Sequence, residues 1–205
     1  MRKHYHNERK DRPPKKHNLF LLSLFQKQTI IYGHFNNLRG FGVKDYYPNV
    51  DQFISILRDP FELTVSSYFY VRANSKNWKD QDAVPSGSLA QFISDTDINM
   101  LNHFPRVITR DNYKEIIEQY FVYIGIVEHL QESLRMIAHK LGKNFNSSEV
   151  PHANATSRDQ IIDDGAKSRF KEKHELEYLV YEYAKQRHLE QAQLFSCENS
   201  QNTDI

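Results

Sequence analysis

The chain has 205 residues and a formal net charge of +1, with 39% apolar, 26% charged and 13% aromatic residues. This composition suits one globular domain with a substantial core and excludes disordered and fibrous classes. No apolar run approaches the roughly 20 residues that a membrane span needs, and the single Cys197 excludes an internal disulfide or a cysteine-based zinc cage.

Residues 1–17, MRKHYHNERKDRPPKKH, gather seven Lys and Arg against Glu8 and Asp11. They read as a solvated basic segment, 1–27 in all, disordered or the remnant of a loop. A basic, polar start is not a secretory signal, so a soluble, cytoplasmic protein is expected rather than one of the Golgi lumen. QTIIYG (28–33), DQFISIL (51–57) and FVYIGIV (121–127) are short β-rich runs bounded by polar residues or glycine, as buried strands are. Helical patterns lie between and after them, at 60–73, 88–95 and 112–120. In EHLQESLRMIAHKLG, Leu130, Leu134, Ile137 and Leu141 share one face and Gly142 is a natural stop. A last amphipathic helix is expected from about 168 to 194, followed by a disordered tail over 196–205. Strands alternating with helices predict an α/β fold with a mainly parallel sheet, whose ligands collect at the carboxyl ends of the strands.

One such end is the junction Arg58-Asp59-Pro60. Asp59 suits an N-cap, Pro60 the first helical position, and Glu62 stands where it completes a capping box. A helix start there favours an anion, and Arg58 adds a forked donor for phosphate or sulfate. Ser66 shares the face of Glu62 and Leu63, and helical side chains lean toward the N-terminus, so its hydroxyl can reach the same anion. Spacing alone equally allows Arg58 to pair with a surface carboxylate while Ser66 merely packs.

The segment ILRDPFELTVSSYFY (56–70) resembles the 3′-phosphate-binding segment of sulfotransferases that use 3′-phosphoadenosine 5′-phosphosulfate, in particular the glycosaminoglycan and other carbohydrate sulfotransferases and their bacterial relatives. On that resemblance Arg58 and Ser66 hold the 3′-phosphate, while Leu63 stands where an arginine is usual. IIYGHF (30–35) is similar to the Gly-His segment of uronyl-type members, which makes His34 the catalytic base. EQYFVYIGIVEHLQESLRMIAHKLG (118–142) resembles the strand and helix after the substrate region. VPHANATSR (150–158) resembles the loop that closes over the nucleotide, with Arg158 a further phosphate contact, and HELEYLVYEYAKQR (174–187) the terminal helix. The resemblance spans roughly residues 28–190 and implies a P-loop-like core flanked by helices.

The family's earlier strand and Pro-Lys-Thr-Gly-x-Thr-Ser loop, which cradles the 5′-phosphosulfate, has no counterpart of that form here. PPKKHNLFLLSLF (13–25) begins with Pro-Lys, which leaves Lys15 as a weak candidate, and no glycine precedes Gly33. The core is therefore expected to be N-terminally incomplete. The resemblance implies sulfuryl transfer to a hydroxyl, with a carbohydrate as acceptor and no metal. The alternative is a truncated, non-catalytic remnant that binds nucleotide, a carbohydrate or a partner protein. Nucleic acid is a less favoured partner, since only the basic segment speaks for it. Asn102, His103 and Arg106, in the stretch 97–112 where the family varies with substrate, can meet an acceptor or be plain surface.

Overall fold

The computed structural model describes residues 2–6, 29–40, 42–77, 84–150 and 164–201. The described elements are strands β1 (Arg2–His6), β2 (Thr29–Gly33), β3 (Phe53–Leu57) and β4 (Phe121–Ile126), with helices α1 (Val43–Tyr46), α2 (Pro60–Ala73), α3 (Leu89–Asp95), α4 (Tyr113–Tyr120), α5 (Leu130–Lys140), α6 (Asp164–Lys173) and α7 (Glu175–Gln201). Helix predominates in this mixed α/β chain, and the strands form two parallel pairs, β1 with β2 and β3 with β4.

The chain divides into two units, residues 1–51 with 99–108, and 52–98 with 109–205. In the first, β1 runs beside β2 from Arg2 opposite Thr29 to His6 opposite Gly33. A strand thus lies within the stretch that its charge marked as a basic tail. RKHYH carries no apolar alternation, so only pairing with the β-branched TIIYG reveals it. After β2 the chain turns sharply: the Asn36 side chain accepts from the Leu38 N–H at 2.9 Å, and Gly40 closes the turn at φ +73°, a backbone that a side chain would strain. Segment 99–108 is fastened to this turn. Asn37 Nδ2 donates to the Phe104 carbonyl at 3.1 Å, and His103 Nδ1 meets the carbonyl of Phe35.

In the second unit β3 and β4 pair from Phe53 opposite Phe121 to Leu57 opposite Ile126, with a register shift between Phe53 and Ile54. Tyr123, Ile124 and Ile126 are buried, and because successive strand residues point to opposite faces, both faces of β4 are covered. Helices α5 and α7 pack on this strand. Gly125 permits the approach of α5, since a Cβ there would lie 2.8 Å from the Ser133 Cβ. Beside the sheet, Phe61, Val65, Tyr68 and Phe69 of α2 form a core with Leu89 and Ile93 of α3, Phe170 of α6 and Tyr178 of α7. Phe61 meets Phe170 edge to face, with centroids 5.3 Å apart.

The single terminal helix expected at 168–194 is two helices, interrupted at His174. Backbone bonds span the junction, from His174 N–H to the Phe170 carbonyl and from Tyr178 N–H to the His174 carbonyl. Lys173 Nζ is held by the Ser94 and Thr96 carbonyls at the end of α3, at 3.0 and 3.1 Å, and His174 is buried against Phe170. This anchoring depends on residues nearly eighty positions away, which the periodicity of the helix does not contain. Helix α7 also runs on to Gln201, into the polar stretch read as a tail. Extending a helix that is already nucleated gains a hydrogen bond for each residue fixed, so no apolar stripe is needed there.

Candidate functional site

The start of α2 forms largely as its residues dictate. Pro60 occupies the first turn, and the Asp59 carboxylate accepts from the Glu62 N–H at 3.0 Å. The reciprocal half of the expected capping box is absent. The Asp59 N–H donates instead to Glu128 Oε1 at 3.1 Å, and Tyr181 donates to Glu128 Oε2 at 3.1 Å. Tyr178 donates to Asp59 Oδ1 at 3.4 Å. The Leu63 N–H reaches the Asp59 carbonyl at 2.8 Å.

These contacts revise the reading of the helix end as an open anion site. Pro60 has no N–H, and the amides of Asp59, Glu62 and Leu63 are engaged by groups of the chain itself. Two carboxylates, Asp59 and Glu128, stand where a bound anion would meet the helix dipole. The same burial and negative charge push the hydroxyl pKa of Tyr178 and Tyr181 well above the usual tyrosine range, burial being the larger cause in each. Both phenols therefore remain proton donors to these carboxylates.

Arg58 directly precedes the Asp59 cap of α2, and Ser66 lies within the helix. The guanidinium of Arg58 lies 4.0 Å from the Glu62 carboxylate, too far for a hydrogen bond, and both side chains are partly exposed. Its Nε is buried and makes no hydrogen bond. Ser66 is half-buried on the same helix, seven residues after the cap, with Leu63 exposed between them. The side-chain groups expected to meet a phosphate here are the guanidinium of Arg58 and the hydroxyl of Ser66. A concavity of about 660 Å³ runs along α7, lined among others by Tyr113, Lys114, Lys171, Glu175, Tyr183 and Gln186, and includes neither Arg58 nor Ser66.

His34 belongs to the first unit, where it is exposed directly after β2, its ring edge-on to Tyr32 with centroids 6.0 Å apart. Its neighbour Phe35 is the residue whose carbonyl holds His103. The substrate-variable stretch and the candidate base therefore adjoin, although His103 is itself committed to the backbone. Arg158 and Lys15 lie outside the described residues.

A second cluster was not read from the sequence. His129 at the start of α5, Glu132 one turn on and His188 of α7 bring ligand-type atoms within 4.8 Å of one another. His188 is 1% exposed, and its Nδ1 lies 2.7 Å from the Tyr123 hydroxyl. The i, i+3 spacing of His129 and Glu132 was the available signal, but His188 is distant in sequence. Among the described residues no helix is long and apolar enough to cross a membrane. In comparisons with protein-family models, curated proteins and solved structures, nothing matches this chain.

Proposed function

We propose that the chain is a sulfotransferase-like protein that binds 3′-phosphoadenosine 5′-phosphosulfate through its 3′-phosphate and transfers the sulfuryl group to a hydroxyl, with a carbohydrate as acceptor. The observation that carries this reading is the unbonded, buried Nε of Arg58, directly before the capped start of α2. A buried donor without a partner costs about 1–3 kcal/mol, and a bound phosphate relieves that cost. The order of motifs from Gly33-His34 through Arg58-Asp59-Pro60 to the strand and helix at 118–142 supports the same reading.

In the reaction the acceptor oxygen forms a bond to sulfur as the bond from sulfur to the nucleotide's bridging oxygen breaks, releasing adenosine 3′,5′-bisphosphate. His34, exposed after β2, takes the acceptor proton, a task suited to an imidazole near neutral pH. A P-loop-like core is part of this proposal. A second reading, a non-catalytic relative that binds nucleotide, a carbohydrate or a partner protein, is favoured by one observation: Asp59 and Glu128 already engage the amides at the start of α2.

Replacing Arg58 tests the proposal. Arg58→Ala is expected to abolish binding of adenosine 3′,5′-bisphosphate while leaving the circular dichroism spectrum unchanged. Equal affinity in the variant and the parent chain contradicts the phosphate grip.

A further inference from the structure

The cluster of His129, Glu132 and His188 at the β4–α5 junction has the composition and geometry of a metal site. His129 is the N-cap residue of α5, yet its side chain makes no capping hydrogen bond. Glu132, one turn later on the same face, directs Oε2 to within 3.2 Å of His188 Nε2. The His188 side chain is fully buried, and its Nε2 makes no hydrogen bond of acceptable geometry despite that proximity. The rings of His129 and His188 are 5.4 Å apart between centroids. An unpartnered nitrogen of a buried imidazole thus faces a second imidazole and a carboxylate.

We propose that His129, Glu132 and His188 bind a divalent first-row transition ion, with zinc as the best match. Two imidazoles and one carboxylate without a thiolate form a borderline-hard donor set suited to zinc, cobalt or nickel and not to calcium or magnesium. Bonds of about 2.0–2.2 Å to a tetrahedral ion place ligand atoms roughly 3.3–3.5 Å apart. The Glu132 to His188 pair, at 3.2 Å, is close to that spacing, and the rest closes by rotation of His129 and Glu132, both half-buried.

The support behind His188 fits this role. With the ion on Nε2, the proton resides on Nδ1 and is donated to the Tyr123 oxygen 2.7 Å away, which fixes the tautomer and the ring plane. A metal takes the imidazole in its neutral form. Three protein ligands leave a further position to water on the half-exposed side of Glu132. The ion ties the first turn of α5 to α7, directly beside the Glu128 contact with the start of α2.

The test uses the full chain, stripped of metal by a chelator and dialysed. It is titrated with Zn²⁺ by calorimetry and with Co²⁺ by visible absorption. The expected result is one tight equivalent, a cobalt spectrum of tetrahedral intensity and a higher unfolding temperature with zinc. Glu132→Gln and His129→Asn each weaken binding by more than about tenfold, because each removes a direct ligand. Both positions are half-buried, so the variants are expected to fold, whereas His188 is too buried for a clean test. A triple variant with His4, His6 and His17 each replaced by Gln, which removes other imidazoles of the chain, keeps the tight equivalent. A folded parent chain that binds no zinc overturns the proposal, as does tight binding that survives both ligand variants and disappears in the triple variant.

Discussion

Ser133 shows how much one side chain decides where a helix meets a strand. Its hydroxyl accepts from the Ile126 N–H at 2.8 Å and donates to the Ile126 carbonyl at 2.9 Å, and it is wholly buried. The last residue of β4 would otherwise leave two polar groups unpaired inside the core. Ser133→Ala is therefore expected to destabilise the fold by about 1–3 kcal/mol, seen as a lower urea midpoint with an unchanged slope. An unchanged midpoint contradicts this account of the junction. Nearby, burial pushes the Tyr123 pKa up to about 12, so the phenol stays protonated beside His188 at any working pH. Arg58 is the opposite case, a charged side chain from which the Glu62 carboxylate stands just beyond hydrogen-bond reach.

The start of α2 illustrates, at the scale of an element, what sequence does and does not reveal. Asp59, Pro60 and the apolar pattern after them mark the helix start because capping and periodicity are local, and α2, α3, α4, β4 and α5 lie within a few residues of their expected bounds. Gly142 ends α5 as expected, at φ +60°. Glu128 and Tyr178, which engage the N–H and the carboxylate of Asp59 at the start of α2, come from 69 and 119 residues away, and no local pattern encodes such contacts. The same limit hid β1, which depends on pairing with β2, and the metal-type cluster, which depends on α7 lying against α5.

The filled amides make a specific prediction for this element. Glu128→Ala removes a negative charge from the positive end of the helix dipole and frees the Asp59 N–H. A charge at a helix terminus is worth typically 0.3–1 kcal/mol, so the affinity for adenosine 3′,5′-bisphosphate is expected to rise about two- to fivefold. Unchanged or weaker binding in a folded variant means that the phosphate does not approach this end of α2.

Across the whole molecule, stability is expected to fall in acid. Burial is the main cause that lowers the His174 pKa below its usual 6.5, with Lys173 acting in the same direction and Glu177, Asp97 and the Thr96 backbone opposing. The unfolded chain then takes up a proton as pH drops through 6.5 while the folded chain resists it. Folding is penalised progressively from there down to the folded pKa, and no penalty exists above pH 6.5. His174→Gln is expected to flatten the dependence of the unfolding temperature on pH between neutrality and mild acid. An identical slope in the variant assigns the acid sensitivity elsewhere.

Function at this scale rests on whether the side-chain site of α2 holds a phosphate, and calorimetric titration of the purified chain with adenosine 3′,5′-bisphosphate tests that most directly. Adenosine 5′-monophosphate, which lacks the 3′-phosphate, serves as the control. The account predicts saturable, one-to-one binding of the bisphosphate and at least tenfold weaker binding of the monophosphate, a difference of about 1.4 kcal/mol. Equal binding of the two nucleotides, or none by a chain verified as folded, contradicts it.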